Sequence, residues 1–264
     1  MGYEQIIYEK EDGVAIITLN RPETLNALTD KMMREIGGVL DEVATDEEVK
    51  VVILTGSGRG FCPGGDLVTG ELDLFSNIRH FKIKPFGRWT DLVLKIHSFE
   101  KPLIAAVNGH AAAGGYSLAC LCDFRIASEN AKFTCPQTRI GASADGGISY
   151  LLPRIVGVAK ALELAYTADT IDAQEAYRIG LVSRVVPHEQ LLTEVKKLAL
   201  RIAKGPSVAI ELTKKVILAG LRTDDISTAL AHEVWAVNVL QNTDDLQEGL
   251  AAFREKRPPH FKGR

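Results

Sequence analysis

Apolar runs and segments of helical period alternate along the first three quarters of the chain. Four runs rich in Val, Ile and Leu predict buried strands, at residues 6–9, 14–19, 51–55 and 103–107. Between residues 29 and 44, apolar side chains recur every three or four positions, which is typical of one helix face. This order predicts a hairpin through Asp12-Gly13, followed by parallel strands joined by a right-handed crossover.

Shorter elements follow in the middle of the chain. Three strands are predicted at 123–127, 131–134 and 181–186, and three helices at 86–98, 146–152 and 159–168. Pro153 is expected to end the helix 146–152, because proline cannot donate the hydrogen bond of a helix interior. Asp172 followed by Glu175 has the spacing of a capping box, which predicts another helix start.

Only helices are predicted after Pro187, at residues 190–203, 207–219, 226–240 and 243–255. Gly205-Pro206 and Gly220 separate them, as helix-breaking residues do. The change of pattern near Lys204 divides the chain into a mixed α/β core, residues 1–204, and a helical appendage, residues 205–264.

Composition narrows the class of protein. The chain has 264 residues, of which 46% are hydrophobic and 25% charged, with a formal net charge of −3, so it reads as an ordinary globular protein without a nucleic-acid partner. The first residues show no secretory signal, and we expect a cytoplasmic location. Residues 103–122 lack Asp, Glu, Lys and Arg, but Asn108, Gly109 and Gly114-Gly115 interrupt them, so no membrane contact is predicted.

The cysteines and histidines do not predict a metal centre. Four cysteines and six histidines are present, but no paired CxxC, HxxxH or HExxH spacing occurs among them. We therefore expect buried free thiols, and neither a metal nor a separate cofactor.

Two glycine-rich turns are the strongest functional signal. Residues 108–123, which include Gly114-Gly115, follow the strand 103–107, and residues 56–66, which include Gly64-Gly65, follow the strand 51–55. A strand, a tight Asn-Gly turn and a helix opened by Gly-Gly would direct free backbone N–H groups to one place. Either turn alone is common in α/β proteins, but the pair predicts a site for an anion or an oxyanion.

These residues resemble the crotonase (enoyl-CoA hydratase/isomerase) superfamily. The shared motifs cover essentially the whole chain: Asn20-Arg21-Pro22, Asn26-Ala27-Leu28, Phe61 to Asp66, Asn108-Gly109, Gly114-Gly115, Cys122-Asp123, Asp145-Gly146-Gly147, Leu152-Pro153-Arg154, Gly180-Leu181-Val182 and Phe253 to Pro258. The resemblance implies an α/β crotonase-like spiral of ββα units with a C-terminal helical appendage. It also implies assembly through residues 205–264 into a homotrimer or a dimer of trimers, and a coenzyme A thioester of fatty acid metabolism as substrate.

The resemblance also assigns site residues. The two N–H donors that stabilise a thioester enolate fall on Gly65 and Gly114. Substrate contacts are expected at Ala27, Leu28, Gly64, Asp66, Leu67, Trp89, Ser117 and Gln137, together with Phe86, although Asp66 reads more readily as a turn cap. The candidates for binding the coenzyme A phosphates are the basic residues Arg21, Arg59, Lys256, Arg257, Lys262 and Arg264.

The acid/base residues depart from those of standard enoyl-CoA hydratases. Ser117 and Gln137 stand where such enzymes carry two glutamates, and neither replaces a titrating carboxylate. Asp145 remains, at a position that resembles the catalytic aspartate of single-base isomerases in the superfamily. Double-bond isomerisation by Asp145 is thus the main hypothesis. One alternative is another reaction in the same pocket: hydration, which is classed as a lyase reaction, or hydrolase or dehalogenase chemistry. A second alternative is a non-catalytic acyl-CoA or RNA binder.

Overall fold

The computed structural model describes residues 2–69 and 87–264. The strands are β1 (Ile6–Glu11), β2 (Val14–Leu19), β3 (Val51–Gly56), β4 (Gly60–Cys62), β5 (Leu103–Val107), β6 (His110–Ala112), β7 (Phe124–Ser128), β8 (Lys132–Thr134), β9 (Ile171–Asp172) and β10 (Arg184–Val186). The helices are α1 (Asp30–Thr45), α2 (Arg88–His97), α3 (Gly114–Leu121), α4 (Ile148–Val156), α5 (Val158–Thr167), α6 (Ala173–Arg178), α7 (Leu191–Ala203), α8 (Ser207–Gly220), α9 (Ile226–Leu240) and α10 (Asp244–Glu255). Phe86 lies outside the described residues.

The larger of two sheets has six strands in the order β1-β2-β3-β5-β7-β10. The predicted hairpin is confirmed, since β1 and β2 pair in antiparallel fashion, and all the other neighbours in this sheet are parallel. Helix α1 crosses from β2 to β3, and its predicted apolar face is buried. Thr29 begins that helix by accepting a hydrogen bond from the Met32 N–H group at 3.0 Å.

A smaller sheet, in the order β4-β6-β8-β9, was not predicted as a sheet. Each repeat of the chain contributes one strand to each sheet, so β3 precedes β4, β5 precedes β6, and β7 precedes β8. In chain order a helix follows each of these strand pairs, with α2 after β4, α3 after β6 and α4 after β8. This repeat confirms the spiral of ββα units, and it places the ends of β4 and β6 side by side, because these strands are paired in parallel.

Two predicted boundaries are wrong. The strand predicted at 181–186 is reduced to β10, because the Leu181 and Val182 N–H groups donate to the Ala176 carbonyl and continue the end of α6. Pro153 lies inside α4 and does not end it. Because Pro153 has no N–H group, the Ser149 carbonyl lacks the helical hydrogen bond that it would otherwise accept. Ser149 is exposed, so water can hydrate this carbonyl, and the helix continues to Val156.

The helices after β10 divide between the sheet and the outer surface. Helix α7 packs Leu191, Val195 and Ala199 on the face of the large sheet opposite the main core. Helix α8 begins after Gly205-Pro206 and is joined to the core by an ion pair of 2.9 Å between Lys214 and Asp123. Within the described ranges, no helix combines the length and apolar character needed to cross a membrane.

Candidate active site

The first glycine turn follows β4 and is fastened by backbone hydrogen bonds to residue 28. The Leu28 N–H group donates to the Gly64 carbonyl at 2.8 Å, and the Asp66 N–H group donates to the Leu28 carbonyl at 2.8 Å. In this parallel bridge, the N–H group of the intervening residue, Gly65, points away from Leu28. Gly64 has a φ of +107°, and a Cβ atom there would lie 2.8 Å from the Ala113 Cβ, so only glycine fits.

The second glycine turn is fastened to the first by a buried asparagine. The side-chain amide of Asn108 donates to the carbonyls of Gly58 and Gly60 at 3.0 and 3.1 Å. The predicted tight turn at Asn108-Gly109 is wrong, because these residues connect β5 to β6 in the other sheet. The chain reverses at Ala113, whose φ of +46° is strained for a residue with a side chain.

Helix α3 begins directly after this strained residue. Gly114 is its first residue, so its N–H group has no partner within the helix. A Cβ atom placed on Gly64 would lie 3.2 Å from the Gly114 nitrogen, which shows how closely the two turns approach. The amides of Gly65 and Gly114 thus belong to one small region at the positive end of a buried helix.

Trp89 and Ser117 form a wall beside these amides. A Cβ atom on Gly114 would lie 3.5 Å from Cζ2 of Trp89, and one on Gly146 would lie 2.8 Å from the same atom. The indole, carried by α2, therefore lies between the α3 N-terminus and the loop before α4. The buried Ser117 hydroxyl would be 2.6 Å from a Cβ on Gly146, and it donates to the Ala113 carbonyl at 3.3 Å.

Asp145 comes immediately before Gly146 and is therefore next to this wall. Its Oδ1 accepts a hydrogen bond of 2.9 Å from Nε2 of Gln137, a buried residue in the turn after β8. The buried Cys135 thiol donates to Oε1 of the same amide at 3.2 Å. Burial first, and the charge of Asp145 second, raise the pKa of Cys135 to about 11, so this thiol is protonated at neutral pH.

Behind the first glycine turn lies a buried ion pair. Arg21 Nη1 lies 2.8 Å from Asp66 Oδ2 and 2.9 Å from the Ala27 carbonyl. Burial alone would raise the pKa of Asp66, but hydrogen bonds from the Thr69 N–H group and from Arg21 outweigh it and lower the pKa to about 2. The Val68 and Thr69 N–H groups donate to Oδ1, so Asp66 caps the turn that follows Gly65.

The family of the chain follows from comparison with known proteins. A family described as enoyl-CoA hydratase/isomerase matches residues 9–264. The chain belongs to this family. A crotonyl-CoA hydratase of Syntrophomonas wolfei is 43% identical over 99% of both chains, and a short-chain-enoyl-CoA hydratase of Clostridium acetobutylicum is 40% identical over 97% of both. The crystal structure of an enoyl-CoA hydratase from Bacillus anthracis superimposes with a TM-score of 0.92 at 35% identity, over 99% of this chain and all of the other.

The protein is thus an enzyme, and its fold brings most of the predicted site residues together. Gly114 lies next to Leu28, Gly64 and Trp89, since a Cβ atom on Gly114 would contact all three. Ser117 joins this group at Gly146, where an added Cβ atom would contact both Ser117 and Trp89. Gln137 and Asp145 adjoin them. Ala27 and Asp66 are buried beside the first turn, whereas the Leu67 side chain is 64% exposed at the edge of the described residues.

Two of the expected phosphate-binding residues are already engaged in the enzyme. Arg21 is buried against Asp66, and Arg257 forms ion pairs of 2.6 Å with both Glu248 and Glu255. Their role in holding the coenzyme A phosphates stays a prediction. Across the described parts of the chain, no group of three or more His, Cys, Asp or Glu side chains is placed to hold a metal ion.

The sequence reasoning missed two residues of the site. Ala113 looks like one of three consecutive alanines, and only its positive φ reveals that it shapes the turn before Gly114. The sequence predicts Cys135 only as one of four buried thiols, but its spacing of two from Gln137 places it behind the amide that contacts Asp145. The resemblance marked Asn26 and Asn108, and both side-chain amides donate to the Gly60 carbonyl. Asn26 thereby attaches the first glycine turn to the segment that carries Leu28, and Asn108 attaches the second turn to the first.

Proposed function

We propose that this enzyme binds an acyl-CoA thioester with its carbonyl oxygen between the N–H groups of Gly65 and Gly114. Removing a proton next to a thioester carbonyl places negative charge on that oxygen. Backbone donors stabilise it best where their positions are fixed in advance. The contact between the Gly64 turn and the α3 N-terminus is the observation that supports this proposal most directly.

The reaction that we propose is migration of a carbon–carbon double bond, with Asp145 as the only acid/base. The Asp145 carboxylate takes a proton from C2 of a 3-enoyl thioester. The C–H electron pair forms a C1–C2 double bond, and the carbonyl π pair moves onto the oxygen, which gives a dienolate that the two amides stabilise. When the carbonyl re-forms, the C1–C2 π pair becomes the C2–C3 double bond, and the former C3–C4 π pair takes the same proton at C4. One carboxylate that faces both carbons is sufficient for this exchange.

The absence of the two hydratase glutamates supports a single-base reaction. Ser117 is buried against the turn, with its hydroxyl engaged to the Ala113 carbonyl. Gln137 cannot titrate, and its amide is held by Asp145 and Cys135. Neither residue offers a second carboxylate to activate water.

Hydration is the second candidate, and the names of the relatives favour it. The relatives from S. wolfei and C. acetobutylicum are both named hydratases. In this reaction water adds at C3 of a 2-enoyl thioester and a proton adds at C2, and the enolate is held by the same two amides. Asp145 would then have to activate the water. Thioester hydrolysis or dehalogenation, with Asp145 as nucleophile, and a non-catalytic binder have less support.

Proton exchange in D₂O separates these functions. We expect wild type to exchange protons at C2 and C4 of a 3-enoyl-CoA and to move the double bond, as followed by NMR, and we expect Asp145→Asn to lose both. Asp169→Asn, which changes an exposed aspartate, is the matched control and should retain both. Full turnover by Asp145→Asn contradicts the acid/base role. A 3-hydroxyacyl product supports hydration, and ¹⁸O from water appearing in Asp145 indicates a nucleophile.

We also propose that the helical appendage forms a homotrimer or a dimer of trimers. Helix α9 exposes Ile226, Leu230, Val234 and Val237, which are spaced to lie on one face. An apolar stripe of this kind is typical of a surface that another protein covers. A further copy of the chain is the partner that the family resemblance implies.

A further inference from the structure

A chain of two hydrogen bonds runs from the protein interior to the side chain of Asp145. The Cys135 thiol donates to Gln137 Oε1 at 3.2 Å, and Gln137 Nε2 donates to Asp145 Oδ1 at 2.9 Å. Cys135 and Gln137 are 2% and 7% exposed, whereas Asp145 is exposed. A buried pair therefore holds a carboxylate that remains open to a ligand.

The two neighbours fix the orientation of the Gln137 amide. An ionised carboxylate can only accept hydrogen bonds, so the amide must turn its NH₂ group towards Asp145. Its Oε1 then faces Cys135, whose protonated thiol supplies the matching donor. A flipped amide would place Oε1 against a carboxylate oxygen and its NH₂ group against the thiol, and both hydrogen bonds would be lost.

Local structure explains why these side chains meet. Cys135 follows β8, and Pro136 then leads into a single turn of 3₁₀-helix at Gln137–Ile140. The turn ends at Gly141, and the Ala142 N–H group returns to the Gln137 carbonyl at 3.0 Å. The segment that carries Asp145 is thus brought back over Gln137.

We propose that Cys135 is a positioning residue for proton transfer by Asp145, and that it acts through the amide of Gln137. This inference rests on the acid/base role proposed above. With Oδ1 engaged by Gln137, Oδ2 has no hydrogen-bond partner among the described residues and is left to exchange the substrate proton. When Oδ2 carries that proton, Oδ1 remains an acceptor, so the same contact holds the side chain in both states.

Substitution of Cys135 tests this role. We expect Cys135→Ala to lower kcat about 5-fold, the effect of losing one neutral hydrogen bond, with KM unchanged. The acid limb of the pH profile of kcat/KM should move to higher pH, because the amide then donates less well to the charged carboxylate. Cys135→Ser keeps a donor and should restore most of the rate. Cys120→Ala, which removes another buried thiol, is the control and should leave both kcat and the acid limb of the pH profile unchanged.

A double-mutant cycle with Gln137 shows whether the two residues act as one unit. Gln137→Leu should reproduce the shift of the acid limb, and Cys135→Ala combined with Gln137→Leu should lose no more than Gln137→Leu alone. Additive losses, or a Cys135→Ala profile identical to wild type, overturn the positioning role while Asp145→Asn stays inactive. Full activity of Asp145→Asn instead overturns the proposed function, so the two failures are distinguishable. Circular dichroism of each variant excludes misfolding as the cause.

Discussion

Gly146 is important to this site because it has no side chain. Gly146 has a φ of +61°, and the space beside its Cα is already occupied by the Ser117 hydroxyl and the Trp89 indole. A side chain at this position would displace the wall of the site next to Asp145. The glycine is therefore required both by its backbone conformation and by close packing.

We expect Gly146→Ala to lower kcat/KM by about 10-fold or more, because Trp89 or Ser117 must move to accommodate the methyl group. Steady-state kinetics measure the effect. Gly141→Ala is a matched control, since Gly141 has a similar φ of +72° but no atom within 4 Å of an added Cβ. Equal losses in both variants would show that backbone strain, and not the collision, is responsible.

The Arg21–Asp66 pair makes the stability of the enzyme depend on pH. Asp66→Asn leaves the buried Arg21 without its carboxylate, and we expect the free energy of unfolding at pH 7 to fall by about 3 kcal/mol. The pKa of about 2 in the folded state lies below the ordinary value of about 3.9 for an unfolded chain. The charge of Asp66 therefore stabilises the fold above about pH 4, and this contribution is lost as the pH falls towards about 2.

Urea unfolding at pH 7 and at pH 3 measures this difference. The difference in the free energy of unfolding between wild type and Asp66→Asn should narrow at the lower pH. Asp66 of the unfolded wild-type chain takes up a proton at pH 3, whereas Asp66 of the folded enzyme stays mostly ionised, so unfolding of wild type becomes easier. Glu23→Gln, which changes an exposed carboxylate near Arg21, serves as the control. An equal difference in the free energy of unfolding at both pH values would indicate that the packing of Asp66, and not its charge, supports the turn.

Among the elements, helix α3 connects the site to the core. All its residues after Gly114 are buried, and its last carbonyls accept hydrogen bonds from a buried arginine. Arg125 Nη1 donates to the carbonyls of Ala119, Cys120 and Cys122 at 3.2, 3.4 and 2.9 Å, and Nε donates to the Leu181 carbonyl at 2.6 Å. A cation at this end stabilises the helix whose other end supplies the Gly114 amide.

We expect Arg125→Met to destabilise the enzyme by about 3 kcal/mol, because several buried carbonyls lose their donor. Amide hydrogen exchange should accelerate in α3 more than in α1, and kcat should fall with the loss of order at Gly114. Arg125→Lys, which keeps the charge, should recover part of the stability. Unchanged exchange in α3 would contradict the connection between this cap and the site.

The elements also show which features a single sequence can predict. Helix α1 was predicted because the helical period of apolar residues is repeated several times within it, and strand β2 because it is an unbroken run rich in β-branched residues after a turn. Strands β4, β6 and β9 have only two or three residues each, too few to show a period, so the smaller sheet was missed. The positions of Gly65 and Gly114 followed from motifs, but the contacts of Trp89 with Gly146 and of Gln137 with Asp145 depend on packing between distant segments.

At the scale of the whole molecule, the helical appendage combines firm attachment with an open apolar face. Asp245 is buried and accepts hydrogen bonds from the Lys262 and Gly263 N–H groups, which holds the C-terminal segment against α10. The apolar stripe on α9, in contrast, faces outwards. The C-terminal segment is thus attached to α10 within one chain, and the apolar face of α9 is left for the proposed oligomer to cover.

We expect the double variant Leu230→Glu/Val237→Glu to dissociate the proposed oligomer, because burying four or more carboxylates at a shared interface is unfavourable. Light scattering coupled to size-exclusion chromatography gives the mass of the particle. Glu233→Gln, on the same helix, is the control and should keep the wild-type mass. A monomeric wild type, or an unchanged mass for the double variant, would contradict assembly through α9.

Because both proposed oxyanion donors belong to the main chain, no exchange of a side chain removes them. Residues 117, 137 and 145 lie on three separate segments around them, in α3, in the turn after β8 and in the loop before α4. A scaffold of this kind can therefore carry a different reaction when the side chains at these three positions differ. In such a catalyst the backbone stabilises the oxyanion, and a small set of side chains decides which reaction follows.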